Sequence, residues 1–202
     1  MRLPTLCRTC LLPLLAVAAC SGTDHREPER RIPVNANPVV VITTSKGTIK
    51  AELWADRAPG TVKNFLAYVD EGFFDGLIFH RVIPGFMIQG GGFSPTMKQK
   101  ATKANIRNEA GPFGRNERGT LAMARTPDPH SASSQFFINL VYNDFLDFRE
   151  PTSQGFGYCV FGKVFEGMEV VDAIAAVPRG NHGPHGDVPT TPVVITSIRR
   201  AE

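Results

Sequence analysis

Excess charge is scarce in this chain. Over 202 residues, 22 Lys and Arg stand against 19 Asp and Glu, a formal net charge of +3, with no long basic run to concentrate it. A surface that neutralises successive phosphates is not on offer, which argues against nucleic acid as a partner. Cysteine is equally sparse. There are four, and Cys7, Cys10 and Cys20 all fall in the first twenty residues, leaving Cys159 alone in the remainder. A disulfide framework cannot be built from one thiol, and Cys7-x-x-Cys10 has no strand-to-helix unit around it to make a redox site. The run Gly90-Gly91-Gly92 lacks the Lys-Ser/Thr of a phosphate loop and reads as a sharp bend. His182-Gly183-Pro184-His185 has no Cys or further His close by to complete a metal site, and it reads as a solvated loop. His80 and His130 have no Ser or Cys companion in a nucleophile setting, so hydrolase chemistry is not indicated. No internal repeat is visible.

What is present begins with the N-terminus. Arg2 and Arg8 form a positive head, and the apolar stretch from Leu11 to Ala19 is too short to cross a bilayer. It runs into Leu15-Ala16-Val17-Ala18-Ala19-Cys20, small residues before a cysteine, which resembles the lipobox of bacterial lipoproteins. Two alternatives stand: cleavage before Cys20 with acylation of its thiol, or an ordinary secretory signal cut near the same place. Either predicts export, to the periplasm or cell envelope, and the first adds a lipid anchor to a membrane. Residues 1–19 are then a signal peptide. Residues 20–37, polar and rich in Pro, Asp, Glu and Arg, are a flexible tether, and 38–202 form the folded domain. Loss of Arg2 and Arg8 with the signal leaves the mature surface near neutral.

From Val39 the pattern becomes strand-like. Val39 to Thr43 is β-branched, Ser45-Lys46-Gly47 supplies a turn, and Ile49, Ala51 and Leu53 alternate with polar neighbours, which is a hairpin signal. Pro59 suits a first helical turn, Val62, Phe65, Leu66 and Val69 recur at helical spacing, and Gly72 is a stop. Further strands are expected at Ile78–Val82, Phe86–Gln89, Thr120–Ala124, Gln135–Leu140, Val160–Val164 and Pro192–Ile198, with a second helix near Met168–Ala176. The chain has 42% apolar residues and 14 Phe, enough for a packed core. The expected architecture is mainly β: a closed eight-stranded antiparallel barrel with two capping α-helices, since closure removes sheet edges. The stretch from Phe93 to Arg118 is left as a surface loop system, a usual place for function.

Three segments stand out. They are Phe79-His80-Arg81-Val82-Ile83-Pro84-Gly85-Phe86-Met87-Ile88-Gln89-Gly90-Gly91-Gly92, then Gly119-Thr120-Leu121-Ala122-Met123-Ala124-Arg125, then Ser134-Gln135-Phe136-Phe137-Ile138-Asn139 followed by Phe145-Leu146-Asp147 and Val160-Phe161-Gly162-Lys163-Val164. In order, and over nearly all of Val39 to Ile198, they resemble the cyclophilin signature, with the Ala-Arg-Thr and Phe-Leu-Asp variants similar to bacterial periplasmic members. The resemblance implies an eight-stranded barrel, peptidyl-prolyl cis/trans isomerase activity without a cofactor or metal, and an open groove. It further implies a monomer that assists folding of exported proteins by acting on proline-containing segments.

An X-Pro bond favours trans by only about 0.5–1 kcal/mol, yet rotation faces a resonance barrier of roughly 18–20 kcal/mol. Catalysis of that rotation needs tighter binding of the twisted amide than of either planar form. Arg81 is the expected main contact, because its planar fork of donors can hold the prolyl carbonyl and reach the imide nitrogen as its lone pair returns. Phe86, Met87, Phe137 and Leu146 resemble the family's proline pocket, while Phe136, of opposite parity to Phe137, is assigned to the core. Gln89 beside the pocket can bond the substrate backbone, and Gln135 resembles a second groove residue. Ala124 and Arg125 resemble main-chain substrate holders, with Arg125 standing where the family commonly has Asn. Phe145 stands where many eukaryotic members have Trp, and Tyr158 where they have His; both are expected as aromatic walls. Trp54 is assigned a structural place outside the site. Two other readings stay open, a non-catalytic holder of proline-containing segments and a structural envelope lipoprotein. An Arg aimed at the amide favours the enzyme.

Overall fold

The structure, a computed structural model, describes residues 37–201. The signal peptide, Cys20 and all but the last residue of the tether lie outside the described residues. Strand β1 (Val39–Thr44) and strand β2 (Gly47–Leu53) form the first hairpin, with Thr44 facing Gly47 and Val39 facing Glu52. Every second residue of each is buried, as a sheet with one covered face requires.

Helix α1 (Pro59–Asp70) follows, with Pro59 in its first turn. Residue Ala58 provides no side-chain cap. Glu109, from the long loop, does so instead: its carboxylate accepts from the Gly60 N–H at 3.0 Å, the Thr61 N–H at 2.7 Å and the Thr61 hydroxyl at 2.7 Å. A distant side chain thus satisfies donors that the helix start leaves open, and its negative charge suits that end of the dipole. The chain leaves the helix through Gly72 at φ 63°, with Val62, Phe65, Leu66 and Val69 on the buried face.

Strands β3 (Phe79–Ile83), β4 (Met87–Gly90), β5 (Thr120–Met123), β6 (Phe136–Asn139) and β7 (Val160–Glu166) come next, with a 3-10 turn at Asp144–Leu146 before β7. Helix α2 (Met168–Ala175), a small hairpin of β8 (Arg179–His182) and β9 (His185–Pro189), and β10 (Ile195–Arg200) complete the described chain. The main sheet is antiparallel throughout and has the order β10-β1-β2-β7-β5-β6-β4-β3.

Eight strands are therefore present, but the expected closed barrel is not. The sheet is an open, strongly curled half-barrel whose outer strands, β3 and β10, share no ladder. They approach through an isolated bridge between Ile78 and Val194 and the backbone bonds beside it, Phe79 N–H to Val193 O at 3.0 Å and Ile195 N–H to Leu77 O at 2.7 Å. Local sequence accounts for this. Pro189 and Pro192 interrupt the approach to β10, which begins at Ile195 rather than Pro192. On the other side the chain enters β3 through a turn at Gly76, φ 78°. The segment read as a loop around His182 is the tip of the β8–β9 hairpin. Its Gly and polar residues carry no alternation, and Arg179 pairs with Asp187 at 3.4 Å across it.

Two apolar clusters sit on opposite faces of the central strands. The larger lies under α1 and α2, and Phe65 is in contact with Phe74, Phe136 and Phe161 at centroid distances of 5.2, 5.4 and 5.1 Å. The smaller comprises Met87, Ala122, Phe137, Leu146 and Val160. Strands β5 and β6 are buried at every position because both of their faces are covered.

Candidate active site

The smaller cluster forms the floor of a surface groove lined by Arg81, Phe86, Met87, Gln89, Ala124, Arg125, Phe137, Leu146 and Tyr158. Parity along β3 explains how Arg81 reaches it. Phe79 pairs with Gly90 but Arg81 pairs with Gln89, so His80 is an extra residue in a bulge. The bulge lets Phe79 and Val82 both enter the main core while Arg81 turns outward between them. Arg81 is exposed, and its guanidinium carbon lies 6.0 Å from the centre of the Phe86 ring.

Opposite Arg81, Gln89 donates through Nε2 to Gln135 Oε1 at 3.0 Å, which couples the two groove amides. Gly92 makes room for this arrangement, since a Cβ there would lie 2.6 Å from the Gln135 side chain. Phe137 and Phe136 point to opposite faces, one into the groove floor and the other into the main core. Phe145 is exposed and stacks on Phe86 at 5.6 Å and 28°, extending the wall. Tyr158 meets Phe137 edge-on at 5.6 Å. Its backbone N–H donates to Leu146 O at 2.9 Å, next to Gly157 at φ 65°, where a Cβ would fall 2.6 Å from that same oxygen. Arg125 donates through Nε to Gly157 O at 2.9 Å and lies 4.7 Å over the Tyr158 ring. All eleven groove residues taken from the sequence thus converge on one place.

Sequence reasoning missed what holds them there. Trp54, assigned elsewhere, follows β2 and packs against the floor cluster, together with Ile83. Ala122 and Val160 also belong to that floor, yet nothing in a strand buried on both faces says which residues face which way. Behind Phe86 runs a buried amide chain. Asn143 Nδ2 donates to the Phe86 carbonyl at 2.9 Å and to Asn139 Oδ1 at 2.7 Å. Asn139 Nδ2 reaches Thr120 Oγ1 at 2.9 Å and Asn116 Oδ1 at 3.3 Å, and Asn116 donates to Asp147. Such a network is rigid when every member is satisfied. Its only sequence signal is Asn and Asp at positions otherwise expected to be apolar or solvated.

The titratable groups near the site are not set up for nucleophilic chemistry. Burial pushes the Cys159 thiol up to about 11 and holds it as a thiol. Burial, with the charges of His185 and Arg81, lowers the His80 imidazole to about 4, so it is neutral at pH 7. Among the described residues no three His, Cys, Asp or Glu side chains gather in a group able to hold a metal ion. What the groove presents is the Arg81 guanidinium, free of partners among the described residues, a pair of coupled amides and an apolar floor. That is a place to grip an extended peptide and an apolar ring, with donors above the ring.

Comparison with known proteins bears on the same residues. The family described as cyclophilin type peptidyl-prolyl cis-trans isomerase/CLD matches residues 39–200. Peptidyl-prolyl cis-trans isomerase B of Escherichia coli (strain K12) is 57% identical over 164 residues, 81% of this chain and 100% of the relative. Peptidyl-prolyl cis-trans isomerase A of Dickeya dadantii (strain 3937) is 55% identical over 160 residues, 79% of this chain and 83% of the relative. Relatives named A and B match comparably well, so the similarity is to bacterial isomerases generally and selects no compartment. A crystal structure of a Cryptosporidium parvum cyclophilin type peptidyl-prolyl cis-trans isomerase, in the presence of the dipeptide Ala-Pro, superposes with a TM-score of 0.70. It shares 30% identity and covers 81% of this chain and 99% of that one.

Proposed function

The chain belongs to the cyclophilin-type peptidyl-prolyl cis-trans isomerases and catalyses rotation about X-Pro peptide bonds; from that premise we propose that the groove around Arg81 is where it does so. The observation that carries this reading is Arg81, without an ion-pair partner among the described residues and opposite Gln89, lining the groove above the Met87–Phe137–Leu146 floor. The pyrrolidine ring seats on that floor, which removes water from the amide. Gln89, positioned by Gln135, and the backbone at Ala124 hold the chain on either side, so the flanking residues stay fixed while one amide turns.

Arg81 supplies the preference for the twisted state. In the planar amide the nitrogen lone pair is delocalised and a poor acceptor; on twisting it localises, and a guanidinium N–H can donate to it. The bond therefore strengthens as the barrier is climbed, which is the requirement for rate enhancement. Each 1.36 kcal/mol or so of such preference is worth tenfold. No covalent bond forms and no proton need leave the enzyme. Isomerisation of an alanyl-prolyl peptide, followed by exchange spectroscopy, should accelerate with catalytic amounts of the chain and no added cofactor. Lack of acceleration would defeat the reading.

The setting is a further part of the proposal. The positive head, short apolar stretch and Ala18-Ala19-Cys20 sequence support export and lipid attachment at Cys20. The enzyme then works as a monomer on exported proteins, held near a membrane by its tether. A Cys20→Ser protein should lose incorporated fatty acid and leave the membrane fraction with activity intact. Absence of fatty-acid label on the wild type would exclude the anchor and leave an ordinary signal peptide.

A further inference from the structure

The groove contains two cations and no anion. Arg81 and Arg125 line it, and among the described residues no Asp or Glu does. Neither arginine takes part in an ion pair among the described residues. Acids of the adjoining loops are engaged elsewhere: Asp147 accepts from Asn116 and Tyr142, Glu109 caps α1, and Asp128 accepts from the His130 backbone. Asp144 lies exposed at the start of the 3-10 turn, outside the groove lining.

Arg125 is held in one orientation. Its Nε donates to Gly157 O at 2.9 Å, its Nη1 to Thr126 O at 2.9 Å, and its plane rests on Tyr158 at 4.7 Å. Nη2 makes no hydrogen bond among the described residues, so its donors are free to face a ligand. Tyr158 in turn touches Phe137, so a single ring separates the guanidinium from the floor of the proline pocket. Neighbouring Cα atoms in a peptide are about 3.8 Å apart, which brings the side chain of a residue next to proline within range of that charge. A cation already fixed by its own chain loses little further freedom when it meets a carboxylate.

Building on the isomerase reading of this groove, we infer that Arg125 is a specificity-determining residue that selects substrates with Asp or Glu beside the isomerising proline and disfavours Lys or Arg there. The relevant partners are acidic proline-containing segments. Arg81 adds to the same field but is oriented toward the amide, so the discrimination between side chains belongs to Arg125.

The test uses the full-length chain and peptides that differ only in one residue flanking proline, Glu, Gln or Lys, placed on either side in turn. On at least one side, kcat/KM should follow Glu, Gln, Lys in falling order, with Glu over Lys by about three- to tenfold at low salt, the scale of a partly exposed charge pair. High salt should compress that ratio. Arg125→Gln should bring the ratio close to one whatever its absolute turnover, while Arg125→Lys, which keeps the charge, should keep the order. Equal turnover of Glu and Lys peptides by the wild type on both sides, or an unchanged ratio in Arg125→Gln, would overturn the inference. If Arg125→Gln does not fold, Arg125→Met serves as the neutral variant. A chain that turns over none of the peptides would overturn the isomerase reading itself, and the selectivity with it.

Discussion

His80 is the residue at which local and global demands conflict most. It is the extra residue of the β3 bulge, it is 5% exposed, and its Nδ1 has no hydrogen-bond partner among the described residues. Its ring packs against Phe93 at 4.6 Å, and Phe93 meets His185 at 5.2 Å. The gain is the outward turn of Arg81; the cost is a buried imidazole that must stay neutral. With the folded value lowered to about 4 from 6.5, the unfolded chain binds more protons between those two values. Stability therefore rises with pH across that window, is complete above about 6.5 and is lost as pH falls toward 4. Between pH 7 and pH 5 the expected loss from this one group is about 2 kcal/mol. Asp70 and Asp75, held low by hydrogen bonds from Arg200 and Arg199, act in the same direction but only below the ordinary Asp range, so they do not confuse the comparison. Urea unfolding at the two pH values should show the loss in the wild type and much less of it in His80→Gln. An equal loss in both proteins would clear His80 of the effect.

At the scale of elements, helix α1 depends on a residue far from it in sequence. Glu109 supplies the cap that Ala58 cannot, and it also satisfies the buried Thr61 hydroxyl. Glu109→Ala should destabilise the fold by about 0.5–2 kcal/mol through the lost cap, since the Thr61 hydroxyl keeps Cys159 Sγ at 3.4 Å as a partner. Thermal or urea unfolding measures it, and a wild-type midpoint would show that the carboxylate is dispensable. Elements whose own residues determine them were legible in the sequence: the β1–β2 hairpin from β-branched alternation, α1 and α2 from helical spacing, and the groove from the segments around Arg81, Ala124 and Phe137. Elements determined by what packs on them were not. The β8–β9 hairpin lacks any alternation, and the faces of β5 could not be told apart because both are covered. Closure was inferred from strand number, whereas Pro192 and the turn at Gly76 keep β3 and β10 from forming a ladder. The Asn116–Asn139–Asn143 chain was invisible for another reason: its members come from separate loops and strands and meet only in three dimensions.

At the largest scale, the described residues form an open curled sheet with unlike faces. One face packs the large core against both helices, and the other carries a small apolar floor with polar groups around it. Four neighbouring strands, β7, β5, β6 and β4, contribute to that floor or its rim, so its geometry is as firm as the sheet. A rigid groove suits a reaction whose only requirement is to fix two flanking segments while one bond turns. It also means that residues from Arg81 to Tyr158 must be assembled before any of them works. The measurement that tests this account most directly is the isomerisation rate of an alanyl-prolyl peptide with the wild type and with Arg81→Ala and Arg81→Lys. Loss of preorganised donors predicts a fall of roughly 10²–10³ in kcat/KM for Arg81→Ala with unfolding midpoints unchanged, since the side chain is exposed. Arg81→Lys should recover little of it, because a point charge lacks the planar fork. Turnover of Arg81→Ala equal to that of the wild type would contradict the account at its centre.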